Sequence, residues 1–231
     1  MKFGIIVFPG ANCDRDVAYV TRDILGQPTR MVWHEDSDLG GVDVVVVPGG
    51  FSYGDYLRCG AIARFSPAMQ ATLAHASQGK LVLGICNGFQ ILTEMGLLPG
   101  ALVRNRDMRF ICDRVPLTVE RTDLRWTQGY TPGQVITLPI AHGEGCYYAD
   151  AATLAELEAN RQIVFRYSSP EGGVDAAHNP NGSLGNIAGI CNPQGNVLGL
   201  MPHPERAADA VLGGVDGLPL FHSLVQALVA A

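Results

Sequence analysis

Lysine is nearly missing from this chain: among 231 residues there are two, Lys2 and Lys80, and charged residues make up only 16% with a net charge of −6. A phosphate-tracking face needs clustered Lys and Arg, so no nucleic-acid partner is expected. Long hydrophobic runs are missing too, and with none near a bilayer span no membrane role is expected. Met1-Lys2-Phe3-Gly4 runs straight into an apolar segment without signal-peptide features. The six cysteines (Cys13, Cys59, Cys86, Cys112, Cys146, Cys191) are scattered, with no Cys-x-x-Cys, which argues against a zinc site or a disulfide framework. They read as reduced thiols of a cytoplasmic protein, most of them small core residues. Neither Gly-x-x-x-x-Gly-Lys-[Ser/Thr] nor Gly-x-Gly-x-x-Gly occurs, and Gly79-Lys80 leads into a strand. If the reaction consumes a nucleotide, that chemistry belongs on another chain. No repeat or linker divides residues 1–231, so one domain is expected, large enough to fold without disulfides or metal.

What is present is a punctuated alternation of apolar segments. Phe3 to Phe8 reads as a strand, followed by a helix capped by Asn12 with Cys13, Val17, Val20 and Ile24 on one face. Thr29 to Trp33 and the valine run Val42 to Val47 read as strands, the latter buried on both faces. Pro48-Gly49-Gly50 opens a long polar, glycine-bearing loop through Gly60. Pro67 to Gln78 reads as a helix, Leu81 to Ile85 as a strand, and Phe89, Ile91, Leu92 and Met95 as one helix face. This order implies an α/β fold with a mostly parallel sheet flanked by helices. Arg109 to Glu120 and Val135 to Ile140 suit strands of a mixed or antiparallel extension. Leu154 to Asn160 reads as a helix, Ile163 to Tyr167 as a strand and Ser168 to Asn186 as a surface loop. Asn186 to Cys191 and Val197 to Met201 form a hairpin, and Pro219 to Ala230 a final amphipathic helix.

The chemistry centres on Gly84-Ile85-Cys86-Asn87-Gly88, placed between a strand and a helix. This is the thiol form of the nucleophile elbow, with Cys86 at a helix N-terminus where thiolate is favoured. The competing reading is a buried structural cysteine in a Gly-lined turn. A thiol nucleophile needs a base, and Met201-Pro202-His203-Pro204-Glu205 follows a strand directly. Residues before proline are extended, so His203 and Glu205 would point the same way. One imidazole nitrogen could then meet Glu205 and the other Cys86, in triad fashion. The oxyanion donors would be the N–H groups of Asn87 and of Gly49 or Gly50. Two His-x-Glu pairs, His142–Glu144 and His203–Glu205, could instead ligate a metal. That alternative leaves the Cys elbow unexplained, and no metal is expected. Cys13 has no base nearby in sequence and reads as structural.

Together, Pro48-Gly49-Gly50, the segment Gly84 to Gln90 and Pro202-His203-Pro204-Glu205 resemble the class I, triad-type glutamine amidotransferases. The resemblance runs from Phe3 to the final helix and implies their flavodoxin-like α/β fold. Asn12 to Asp16, Phe51 to Ala61, Ile140 to Gly145, Asn179 to Ser183, Asn186 to Ile190 and Met201 to Arg206 resemble, within the class, the glutaminase subunits of purine biosynthesis. Phe89, where many others of the class carry histidine, points the same way.

The resemblance implies Cys86 as nucleophile, His203 as general acid/base and Glu205 as its orienter. Gly50 and Asn87 would form the oxyanion hole, with Gly49 possible, and Gln90 and His142 would lie near the glutamine substrate. It implies no cofactor in this chain. Ammonia would pass to a large synthetase subunit that uses ATP and Mg to convert formylglycinamide ribonucleotide to the amidine, with a small third subunit assisting assembly. A Cys-His hydrolase or peptidase on a related fold, and a non-catalytic binding subunit, remain the alternatives.

Overall fold

A computed structural model of the chain describes residues 1–229; the expected end of the last helix, Ala230, lies outside the described residues. The strands most strongly marked in the sequence lie near the middle of a nine-stranded sheet. These are β3 (Val44–Val47) and β4 (Leu81–Ile85), every residue of which is buried. Branched and long apolar side chains fill both faces there, as a strand covered on two sides requires.

The other strands are β1 (Phe3–Val7), β2 (Thr29–Trp33), β5 (Ala101–Val103), β6 (Ile111–Val119), β7 (Val135–His142), β8 (Cys146–Tyr148), β9 (Ile163–Tyr167), β10 (Ile187–Cys191) and β11 (Val197–Leu200). The large sheet has the order β2-β1-β3-β4-β11-β10-β9-β6-β7. From β2 to β11 all neighbours are parallel, and from β11 to β7 all are antiparallel. The parallel sheet and its antiparallel extension thus meet at β11, which serves both.

The helices are α1 (Asp14–Ala18), α2 (Pro67–Ser77), α3 (Asn87–Glu94), α4 (Ala151–Ala159) and α5 (Leu218–Val229). α1 continues as a π-helical stretch over Tyr19–Ile24, and its N-cap is Cys13, without side-chain capping, rather than Asn12. The Asn12 side chain instead accepts a hydrogen bond from the Cys13 thiol at 3.3 Å. α2 starts as its sequence dictates: Ser66 Oγ accepts from the Met69 N–H and Pro67 takes the first helical position. α4 begins earlier than expected because Asp150 caps it through the Thr153 N–H at 2.7 Å. A two-stranded sheet, β5 with β8, was not legible, since three-residue strands show no period.

Alternation matters most in β7. Ile136, Leu138, Ile140 and His142 are its buried residues, so the side chain of His142 shares the core face.

Candidate active site

The candidate residues gather at the carboxyl ends of β4 and β11, where ligands of parallel α/β sheets bind. β4 and β11 are paired in parallel with Ile85 opposite Leu200, and the Cys86 N–H donates to the Leu200 carbonyl at 2.8 Å. The first residue past β4 therefore lies beside the segment leaving β11. That segment is pinned from the other side, because the His203 N–H donates to the Pro139 carbonyl of β7 at 2.8 Å.

Cys86 sits at φ 51°, ψ −106°, a backbone conformation that costs a non-glycine residue of the order of 1–3 kcal/mol. The strain turns the chain sharply from β4 into α3 and lifts the thiol over the helix N-terminus. The turn is possible because of Gly88: a Cβ there would overlap the Val47 carbonyl oxygen. Gly88→Ala is expected to destabilise the fold by about 1–3 kcal/mol and to displace the thiol. A lower urea midpoint together with lost labelling by a glutamine analogue would check it.

His203 and Glu205 are fully buried and meet, with Nδ1 2.6 Å from Glu205 Oε1. They do so by a different route from the extended segment expected. Pro204–Ala207 forms a 3₁₀ turn, and it is this turn that folds the carboxylate back onto the ring. His203 Nε2 has no hydrogen-bond partner within the protein, so it is the nitrogen free to exchange a proton. Burial disfavours imidazolium, but the charges of Glu205 and then Cys86 outweigh it and hold the His203 pKa well above that of free imidazole.

A cavity of about 190 Å³ opens in front of the thiol, lined by Gly50, Phe51, Asp55, Cys59, Cys86, Gln90, Phe110, Ala141, His142, Gly143 and Glu144. The two candidate glycines divide their work. Gly49 is where a Cβ would come 2.7 Å from His203 Cε1, so it seats the imidazole. Its carbonyl accepts from the Cys13 N–H at 3.3 Å, so the trans peptide turns the Gly50 N–H the opposite way. Gly50, at φ 139°, lines the cavity and Gly49 does not.

Asn87 opens α3, where main-chain N–H groups lack helical partners. Its side chain clamps the loop after Gly50: Oδ1 accepts from Ser52 N–H and Oγ at 3.1 and 2.6 Å, and Nδ2 donates to Asp55 Oδ1 at 3.1 Å. Gln90 lines the cavity, but its amide is engaged by Asn87 Nδ2 and the Glu144 carbonyl at 2.9 and 2.6 Å. The loop through Gly60 is thereby anchored, also through Tyr53 to His34 and Arg58 to Glu94. His142 is buried, with Nδ1 3.1 Å from Asn105 Oδ1; burial, helped by the charge of His203, lowers its pKa to about 4.

Four residues at the site escaped sequence reasoning. Cys13, read as structural, lies against His203 and accepts a contact from Arg206 Nη2 at 3.0 Å. Its burial keeps the thiol pKa raised, against the opposing pull of His203. Cys13, His203 and Glu205 form the one group of three His, Cys or acidic residues among the described residues whose donor atoms all lie within 4.8 Å of one another. His142 and Glu144 do not join it, so the two His-x-Glu pairs build no shared site. Asp55 and Cys59 enter the cavity wall from the loop; burial, then the neighbouring Asp55 and Glu144, push the Cys59 thiol pKa up. Asn105, in a charged loop, carried no signal at all.

The family pattern of CobB/CobQ-like glutamine amidotransferase domains matches residues 1–214. The chain belongs to that family. This amidotransferase is 73% identical to the phosphoribosylformylglycinamidine synthase subunit PurQ of Acaryochloris marina over 230 residues, covering all of this chain and 98% of that one. Against the PurQ subunit of Gloeobacter violaceus the identity is 72%, covering 100% and 99%. Among solved structures, PurLQS from Thermotoga maritima superposes with a TM-score of 0.86 at 43% identity, covering 98% of each chain. The amidotransferase fold expected from the sequence, with its large mixed sheet and flanking helices, is the one observed.

Proposed function

We propose that this chain is the glutaminase subunit of a phosphoribosylformylglycinamidine synthase. It hydrolyses glutamine through a Cys86 thioester and hands the ammonia to a large synthetase subunit, with a small assembly subunit completing the complex. The observation that carries the chemistry is the buried His203–Glu205 pair beside a strained thiol at an amino-acid-sized cavity. Its placement in purine biosynthesis, and so in the cytoplasm, is supported by full-length relatives that carry the PurQ name. No helix among the described residues is long and apolar enough to cross a membrane.

In this mechanism Cys86 Sγ attacks the side-chain amide carbon of glutamine, and the N–H groups of Gly50 and Asn87 receive the oxyanion. His203 Nε2 gives its proton to the amide nitrogen, the C–N bond breaks and ammonia leaves a glutamyl thioester. Nε2 then takes a proton from water, whose attack frees glutamate and regenerates the attacking thiolate beside the protonated imidazole. Glu205 holds the ring through Nδ1 and supports the imidazolium. Asp55 and Glu144, on the cavity wall, suit the substrate's α-ammonium. Gln90 braces the wall through its two amide contacts. The chain needs no cofactor of its own for these steps; ATP and Mg serve the synthetase. Phe51 and Phe110, about half exposed at the cavity mouth, offer an apolar rim for that subunit to cover.

The test is mass spectrometry of the assembled complex after 6-diazo-5-oxo-norleucine. One adduct on Cys86 is expected. An unlabelled Cys86 in an assembled, amidine-forming complex would overturn the assignment.

A further inference from the structure

We infer that His142 is a hydrogen-bond acceptor for the reacting carboxamide nitrogen of glutamine, through which the site distinguishes the amide from its carboxylate product. The inference deepens the glutaminase reading and rests on it.

The tautomer of His142 is dictated by Asn105, which is 1% exposed and held at both ends. Asn105 Nδ2 donates to the carbonyls of Arg109 and His142, both at 2.8 Å, and Oδ1 accepts the Gly145 N–H at 3.0 Å. Turning the amide over would set its oxygen against two carbonyls and its NH₂ against an N–H, so the orientation is settled. Oδ1 can only accept, and His142 Nδ1 at 3.1 Å must carry the hydrogen. With the ring uncharged, Nε2 is left as a bare lone pair.

That lone pair is buried and has no partner within the protein. An orphaned buried acceptor is destabilising, and a ligand N–H would remove that cost. The rest of the ring is enclosed. Gly145 packs so closely on the Cγ–Nδ1–Cε1 side that a Cβ there would overlap the ring, and Asn105 covers Nδ1. The remaining Nε2 edge belongs to a side chain that lines the same cavity as Cys86. The preceding residue, Ala141, has its carbonyl 3.7 Å from Cys86 Sγ, so this end of β7 converges on the nucleophile.

A carboxamide brings two N–H groups to that position. One can donate to His142 Nε2 while the nitrogen's own electron pair turns towards His203 and takes its proton. The C–N bond then breaks and ammonia leaves, still donating to Nε2. His142 exchanges no proton in the cycle. Glutamate would present a carboxylate oxygen to the same lone pair, with no hydrogen between them, and a site built for an N–H rejects a ligand lacking one.

Two measurements test this. In the ¹⁵N-histidine-labelled full chain, NMR should find His142 as the Nδ1–H tautomer at pH 7 and still uncharged at pH 5. An Nε2–H tautomer would overturn the inference. In the complex, His142→Leu should lower glutamine kcat/KM about 100-fold and reduce the preference for glutamine over glutamate, read as glutamate Ki over glutamine KM, at least tenfold, on the order of one lost buried hydrogen bond. His142→Gln, whose Oε1 can stand in for Nε2, should recover most of both. Equal losses in the two variants with an unchanged ratio would reduce His142 to a packing role. A wild-type complex that forms no thioester would overturn the glutaminase reading itself, a different failure; if His142→Leu does not fold, the tautomer decides.

Discussion

Replacing Cys86 with Ala should lower glutamine-dependent amidine formation by at least ~10⁴-fold, the scale seen when a covalent nucleophile is removed. Synthesis from added ammonium should survive, because the synthetase site lies on another subunit. The contrast isolates the thiol's role: a residue needed only for assembly would take both activities down together. The backbone sharpens the test further. Cys86 is held at φ 51°, a conformation that glycine adopts without strain. Cys86→Gly should therefore be inactive yet more stable by about 1 kcal/mol, seen as a higher urea midpoint. A nucleophile retained against stability shows that sign; a structural cysteine shows the reverse. An active Cys86→Ala variant would sink the mechanism.

Glu205→Gln should be nearly as damaging, lowering kcat by up to about 10⁴-fold, as when the orienting carboxylate of a comparable triad is made an amide. His203 is buried, and burial alone would strip its proton; the carboxylate 2.6 Å away and the Cys86 charge reverse that balance. Without Glu205 the ring loses the anion that supports it and the acceptor that orients Nδ1–H.

The same coupling has a thermodynamic signature. A histidine whose folded pKa lies above its unfolded value near 6.5 contributes stability in full below that value and loses it as pH rises through the folded pKa. Wild type should lose part of its stability on the alkaline side of that window, and Glu205→Gln should show a much smaller loss. Urea midpoints across neutral to alkaline pH measure this. Parallel curves for the two proteins would show that the pair is not the coupled unit its geometry implies.

Much of this protein is written locally. Four consecutive valines at Val44–Val47 and the run Leu81–Ile85 announce buried parallel strands, because both faces demand apolar side chains. Gly-x-Cys-x-Gly and His-Pro-Glu announce their chemistry because a tight turn and proline-restricted backbone confine the residues that fit. Local reasoning failed where neighbours decide. The His203–Glu205 contact was anticipated, but through an extended segment, whereas the chain beyond Pro204 curls into a 3₁₀ turn. Cys13 looked isolated because His203, which it lies against, is 190 residues away and meets it only across the sheet end.

The sequence by itself therefore determined the α/β class and the strand–turn–helix at Cys86, and marked out the His203–Glu205 pair, all of which rest on backbone restriction and hydrophobic period within a few residues. Tertiary structure alone decided which glycine faces the cavity, that the Gln90 amide is already engaged, and that Asn105 dictates the tautomer of His142. Those outcomes depend on hydrogen bonds between segments tens of residues apart. Directional bonds of that kind leave no period in a sequence, since one partner says nothing about where the other will be.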